Sequence, residues 1–181
     1  MRALGPGSVS SFLKIILDVV YVAFWIAAIG GVLVTVGAVF YDLAPGLFNI
    51  HITGRTELTA GKTELALTPA LFTAAAAAFT AYAAVVLVIV DRLRRIFATL
   101  TAGDPFHPEN VRRLRTVGVM LAVLELGRYP VAAVDTWLSP HPDAVSLSPS
   151  PTAWFAVLVV FVLAEVFREG ARLRREAELT I

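Results

Sequence analysis

Charged residues inside otherwise apolar stretches are the positions where this chain could carry out chemistry. Glu125 and Arg128 stand three residues apart near the middle of one such stretch, so on a helix they share a face. A charged group in an apolar span has to be paired or has to face a polar cavity. The two residues are therefore predicted to form either a structural ion pair that fixes helix packing or a site for a proton or small ligand.

Asp18 and Glu165 are two further carboxylates in apolar stretches, and each has a basic residue nearby. Lys14 precedes Asp18 by four positions and Arg168 follows Glu165 by three, spacings that bring side chains together on a helix. Both carboxylates are predicted to belong to structural ion pairs near a membrane surface. An ion or proton site is the alternative for Asp18.

The motifs that many enzymes and metal sites require are missing from the sequence. The chain has no cysteine, and its three histidines, His51, His107 and His141, are not spaced as metal ligands. It also has no Gly-x-Ser-x-Gly motif, no phosphate-binding glycine loop and no His-Glu-x-x-His motif. Neither an enzymatic activity nor a cofactor or metal ion is expected.

The composition places the chain among membrane proteins. Of its 181 residues, 57% are hydrophobic and only 16% are charged, which is too apolar for an ordinary soluble domain. Four apolar runs, at about residues 12–41, 70–100, 111–138 and 152–177, are each long enough to cross a bilayer core of roughly 30 Å as a helix. The prediction is a single all-α domain, residues 1–181, with four transmembrane helices.

The two loops on one side of the predicted membrane differ in character. Residues 43–68 alternate apolar and polar side chains and contain "RTEL" and "KTEL" around "TAG", which predicts a small β-hairpin. Residues 139–151 are rich in proline and serine, which predicts an irregular segment.

The distribution of basic residues predicts which helix ends face the cytoplasm. Twelve of the fifteen Lys and Arg residues lie near the termini or beside the connector at residues 101–110, whereas only Arg55 and Lys62 lie in the other loops. Cytoplasmic segments of membrane proteins carry an excess of Lys and Arg. The protein is therefore predicted to have both termini and the connector in the cytoplasm.

Most of the connector belongs to the segment "GDPFHPENVRRLR", residues 103–115. This segment combines two prolines with three arginines. Gly103 can end one helix in a left-handed conformation, the prolines prevent that helix from continuing, and Glu109 with Asn110 suits the start of the next helix. The terminal segment "AEVFREGARLRRE" also has an apolar side surrounded by arginines. The pattern predicts helical cytoplasmic extensions joined by a rigid basic corner.

The basic corner and the terminal helix are predicted to dock an acidic patch of a cytoplasmic protein, and contact with anionic lipid is the alternative role of the arginines. Direct binding of nucleic acid is not expected, because no reading helix or interleaved aromatic residue is visible. The predicted docking residues are Asp104, Pro105, Phe106, Pro108, Glu109, Asn110, Arg112, Arg113, Arg115, Arg172, Arg174 and Arg175.

Small residues at helical spacing predict seams where helix backbones approach closely. On the first predicted helix these are Ala27, Gly31 and Thr35. On the second they are Ala74, Ala77, Ala78, Ala81 and Ala84. The seams serve either within one bundle or between copies in a homo-oligomer, and both alternatives stay open.

The segments "GDPFHPENVRRLR" and "AEVFREGARLRREAELTI" together resemble the bacterial domain-of-unknown-function 2975 family of small four-helix integral membrane proteins. The resemblance covers the whole chain and implies a protein of the bacterial cytoplasmic (inner) membrane, with no assigned activity and no catalytic residues. It also implies a partner, because similar proteins are often encoded beside a small helix-turn-helix regulator.

The function predicted on this basis is that of a membrane-anchored regulatory or scaffold protein that docks such a regulator. The alternative is a sensor or transporter of a small molecule or proton, which would use Glu125 and Arg128 within the bundle.

Overall fold

Four long helices account for nearly all of the chain that the computed structural model describes, which is residues 9–43, 55–57, 64–66, 69–138 and 149–179. The helices are α1 (Val9–Leu43), α2 (Pro69–Thr101), α3 (Pro108–Leu138) and α4 (Pro151–Glu178). Their segments that are long and apolar enough to cross a membrane are Phe12–Tyr41, Ala70–Thr101, Pro108–Ala133 and Pro151–Ala177. The predicted all-α architecture with four candidate spans is confirmed, and the third span differs most from its predicted bounds.

Two short strands lie between α1 and α2. They are β1 (Arg55–Glu57) and β2 (Glu64–Ala66), and they pair antiparallel with Thr56 opposite Leu65. The other residues between Leu43 and Pro69, and most of residues 139–151, lie outside the described residues. The structure predicted for these two loops as a whole therefore stays a prediction.

The helix starts follow from residues with known preferences. The first residue of α2, α3 and α4 is proline in each case, which has no N–H group to leave unpaired in the first turn. Ser150 caps α4, because its Oγ accepts a hydrogen bond of 3.4 Å from the N–H of Ala153. The local sequence therefore favours a helix start at this position.

The chain divides into two compact units, each built from segments that are distant in sequence. Unit 1 consists of Met1–Trp25, Val85–Glu125 and Ser150–Ile181, and unit 2 consists of Ile26–Ala84 and Leu126–Pro149. All of α4 belongs to unit 1, whereas α1, α2 and α3 each contribute residues to both units. The predicted single domain stays a prediction.

Unit 1 has a small apolar core where α2, α3 and α4 meet. Ile96, Leu114 and Ala164 form this core, and each is at most 9% exposed. Leu100 and Phe167 pack against it from α2 and α4. The core lies beside the residues that connect α2 to α3, so it fixes the helices on which the basic corner is built.

In unit 2, α1 and α2 approach closely along small residues. A Cβ atom on Gly31 would lie only 2.7 Å from Oγ1 of Thr80, so a larger residue would push the helices apart. The hydroxyl oxygens of Thr35 and Thr80 are 3.2 Å apart, so the two helices are in direct contact there. The predicted seam on α1 is confirmed at Gly31 and Thr35.

The predicted seam on α2 does not form the contact with α1, and its use between copies stays a prediction. The five alanines that were expected to form it are exposed, namely Ala74, Ala77, Ala78, Ala81 and Ala84. The contact to α1 instead uses Thr80, and Ala83 is the fully buried residue of this stretch. Alanine occurs on every side of this helix, so composition alone does not select the packed face.

Large apolar side chains are exposed along all four helices, as expected for helices surrounded by lipid. In the most apolar window of each candidate span, between 6% and 17% of the residues are buried. A water-soluble domain would leave a contiguous apolar surface of this extent exposed only at an interaction site. Lipid chains, as apolar as these side chains, can cover the surface without a cost in hydrophobic free energy.

Candidate functional site

The α2–α3 corner, residues 102–107, begins with a helix termination at Gly103. This residue has φ +83°, the one positive φ value among the described residues. Its N–H donates to the carbonyl of Leu100 at 3.1 Å, and the N–H of Asp104 donates to the carbonyl of Thr99 at 3.0 Å. This is the Schellman arrangement, which satisfies carbonyls that a helix end would otherwise leave unpaired. The predicted left-handed end of α2 is confirmed.

Asn110 holds the corner together from inside. Its side chain is fully buried, and Nδ2 donates to Oγ1 of Thr99 at 2.7 Å and to the carbonyl of Pro105 at 3.1 Å. Its Oδ1 accepts a hydrogen bond of 3.0 Å from Nη1 of Arg113. Asn110 thus serves the internal structure of the corner, and its predicted contact with a partner stays a prediction.

Phe106 and Asp104 join the corner to α4. The ring of Phe106 lies over Gly170, where a Cβ atom would stand 2.5 Å from it, and its centre is 5.8 Å from the centre of the Phe167 ring. Asp104 forms an ion pair with Arg174. The corner is therefore fixed to three helices, and these predicted docking residues have contacts within the protein itself.

The three arginines in the first turns of α3 have different surroundings. Arg113 donates to the carbonyl of Arg95 at 3.2 Å, and only 16% of its side chain is exposed. Arg112 and Arg115 are exposed, and Arg115 lies 3.8 Å from a carboxylate oxygen of Glu165 on α4. Arg113 thus belongs to the structure of the corner, whereas Arg112 and Arg115 present their charges on the surface.

A groove of about 420 Å³ lies between the start of α3 and the end of α4. Its apolar lining residues are Pro108, Val111 and Ala171. Its charged lining residues all belong to α4 and are Arg168, Glu169, Arg172 and Arg175. The sequence prediction included Arg172 and Arg175 but missed Arg168 as a member of the same surface, although the spacing of the three arginines places them on one face of a helix.

Asp18 pairs with a different helix from the one predicted. Its Oδ1 is 2.6 Å from Nε of Arg94 on α2, and the Arg94 guanidinium also lies 4.2 Å from the centre of the Tyr21 ring. Asp18 does belong to an ion pair, but the predicted partner Lys14 is wrong, because the carboxylate pairs with Arg94 of another helix. An exposed ion pair within one helix stabilises a protein by about 0.3–0.5 kcal/mol. Arg94 makes a cation–π contact in addition to its ion pair, so we expect its contribution to stability to be larger.

Glu165 forms the ion pair with Arg168 that the sequence predicts. One of its oxygens also lies 3.8 Å from Nη2 of Arg115 on α3. The side chains of Arg115 and Glu165 are each about half exposed on the surface of the protein. Glu165 is therefore a surface ion-pair residue between α3 and α4.

Glu125 is buried, with 4% of its surface exposed. Its Oε1 accepts a hydrogen bond of 3.2 Å from the backbone N–H of Ser150, the residue that caps α4. A carboxylate is favourable there because the first N–H groups of a helix lack partners within the helix and carry partial positive charge. Arg128 is exposed and belongs to unit 2, and its predicted pairing with Glu125 stays a prediction.

The described part of the chain offers little for a metal ion. His107 is the one described histidine, and its Nδ1 accepts a hydrogen bond of 3.3 Å from the N–H of Glu109 at the start of α3. No group of three or more His, Asp or Glu side chains that could hold a metal ion is present in this part of the chain. His51 and His141 lie outside the described residues.

The four long apolar helices, with most of their apolar surface exposed, define a multi-pass membrane protein with four candidate spans. A family model described as "Protein of unknown function (DUF2975)" matches residues 57–181, which is more than half of the chain. The protein belongs to the DUF2975 family. The match includes the corner and the terminal helix, on which the resemblance rests. Comparisons with curated proteins and with solved structures give no significant match.

Proposed function

We propose that the protein is a membrane-anchored regulatory or scaffold protein that docks a small helix-turn-helix transcription regulator at its basic corner. The basic corner consists of the α2–α3 corner and the exposed Arg112 and Arg115 in the first turns of α3. The excess of Lys and Arg near the termini and the corner supports a cytoplasmic location for these segments. The resemblance to proteins encoded beside such regulators supports the class of partner.

The preformed corner is the observation that carries this proposal. Asn110 closes the corner internally, and Phe106 ties it to α4. Arg112 and Arg115 project from the α3 turns directly after it. A surface that is already ordered loses less conformational entropy on binding, and exposed positive charge attracts an acidic partner and speeds its association.

We expect the double variant Arg112→Gln, Arg115→Gln to weaken capture of the regulator about tenfold, since each exposed arginine contributes up to about 1 kcal/mol. The measurement is crosslinking and affinity purification of the tagged protein from its host in mild detergent, followed by quantitative mass spectrometry. Arg113 stays unchanged in this design because it holds the corner together.

The matched control is Arg92→Gln with Arg95→Gln, which also removes two arginines, but from α2, where both lie near Asp91. The control variant should still capture the regulator. Equal capture by all three proteins would rule out the corner as the docking surface, and the recovery of no DNA-binding protein at all would remove the proposed partner class.

A proton or ligand response at Glu125 is a second candidate function, favoured by the burial of its carboxyl group within a candidate span. Its hydrogen bond to Ser150 offers a purely structural reason for the same burial. The two roles differ in what they require of residue 125, because a cap needs a hydrogen-bond acceptor and an ion site needs a negative charge.

If Glu125 only caps α4, the free energy of unfolding of the Glu125→Gln variant should lie within about 0.5 kcal/mol of that of the native protein. The reason is that glutamine keeps an acceptor for the Ser150 N–H. Glu125→Ala should lose about 1–2 kcal/mol. Thermal unfolding of the purified proteins in detergent separates the cases. A glutamine variant as unstable as the alanine variant would indicate a structural ion pair, whereas a stable glutamine variant that loses a pH-dependent or ligand-dependent response would support the proton or ligand site.

A further inference from the structure

The groove between α3 and α4 lies at the depth where α4 would leave the apolar core of a bilayer. The candidate span begins at Pro151, and a core of roughly 30 Å takes up about twenty helical residues. Counted from Pro151, the core ends near Gly170. Arg168, Arg172 and Arg175 therefore bracket the layer that holds the phosphate groups of the lipids.

The three arginines share one face of α4 and give the groove an excess of positive charge. They stand at positions i, i+4 and i+7, and only Glu169 adds a negative charge to the lining. Arg172 is paired with Glu169 at 2.8 Å and with Glu176 at 3.4 Å, and Arg168 is paired with Glu165. These are exposed contacts that a phosphate can replace at little cost. For Arg175, no ion pair is found with any described side chain.

The rest of the groove is apolar. Pro108 and Val111 of α3 face Ala171 of α4 across it, so its lining combines carbon surface with guanidinium groups. A ligand that fits both parts carries phosphate on an apolar body. We infer that this groove binds the headgroup and glycerol region of an anionic phospholipid of the surrounding bilayer.

An acidic protein segment is less suited to the groove than a lipid. The arginines follow the apolar part of α4 within two turns, so this depth is the one at which lipid phosphates lie. Basic pockets between membrane helices are a known form of headgroup site. The charged residues of this site all belong to α4, and the site does not depend on the docking proposed for Arg112 and Arg115.

The test compares binding of phosphatidylglycerol and phosphatidylcholine with identical acyl chains to the purified full-length protein, by native mass spectrometry in neutral detergent. The native protein should retain phosphatidylglycerol in preference. Arg172→Gln with Arg175→Gln should reduce this preference by about tenfold. Arg92→Gln with Arg95→Gln, which removes the same charge from α2, should change it by less than about twofold.

A second variant tests the shape of the groove without changing its charge. Ala171→Trp fills the apolar part of the lining and should lower retention of phosphatidylglycerol while all three arginines remain. Ala171 is only partly buried, so the larger side chain can be accommodated toward the groove. Unchanged retention in this variant would place the lipid elsewhere.

Three other outcomes would overturn the inference. Equal loss of preference in the α2 and α4 double variants would show a general effect of charge and no groove site. Displacement of phosphatidylglycerol by millimolar inorganic phosphate would show a site for free phosphate. Binding of polyglutamate through Arg172 and Arg175 without any lipid preference would assign the groove to an acidic polypeptide.

Discussion

Replacement of Asn110 by leucine is expected to lower the free energy of unfolding by about 2–3 kcal/mol, one of the two largest effects we predict. Leucine has the same number of side-chain heavy atoms and the same branching at Cγ, with larger methyl groups in place of the polar atoms. The substitution would leave the hydroxyl of Thr99, the carbonyl of Pro105 and the guanidinium of Arg113 without their contacts to this side chain. Buried polar groups that lose their partners are costly because water cannot replace them.

The measurement is thermal or denaturant unfolding of the purified protein in detergent. Arg112→Leu is the matched control, since it makes a polar-to-leucine change two residues away on the exposed side of α3. The control should change stability by less than about 0.5 kcal/mol. If the two variants were equally stable, the internal hydrogen bonds of Asn110 would not hold the corner together.

Replacement of Gly170 by leucine is expected to destabilise the protein by about 1–3 kcal/mol and to release Phe106 from α4. Even a Cβ atom at this position would stand 2.5 Å from the Phe106 ring, so the ring has to move. Its contact with Phe167 would then be lost, and the corner would keep fewer of its attachments to α4.

Hydrogen–deuterium exchange of residues 102–107 measures this release directly and should speed up in the Gly170→Leu variant. Gly127→Leu provides the control, because a Cβ atom at Gly127 would have no atom of a neighbouring helix within 4 Å. A larger side chain there therefore has open space. That variant should keep native exchange in the corner. Faster exchange in both variants would point to a general loss of stability and not to the Phe106 contact.

Local sequence determined much of the corner that these variants probe. Gly103 ends α2 in a left-handed conformation and Pro108 begins α3, and both follow from backbone preferences that act within a few residues. The role of Asn110 did not follow in the same way. A polar residue in the first turn of a helix is usually exposed. Here Asn110 is buried and donates a hydrogen bond to Thr99, eleven residues earlier in the sequence.

Ion pairs show the same division. Glu165 and Arg168 pair as their spacing predicts, because both belong to one helix turn. Asp18 pairs with Arg94, which is 76 residues away in sequence. Spacing along one helix contains no information about which side chain a neighbouring helix will bring to the same place.

By itself, the sequence determined four helices long and apolar enough to cross a membrane, the helix ends at the corner and membership of the DUF2975 family. These properties depend on composition, on residue preferences and on motifs, which are local. Only the tertiary structure decided which side of α2 packs, that Asn110 is buried, and that arginines of α4 line a groove beside α3. These depend on how helices rotate and pack against one another, and in helices that are apolar on nearly every side the hydrophobic pattern does not specify the rotation.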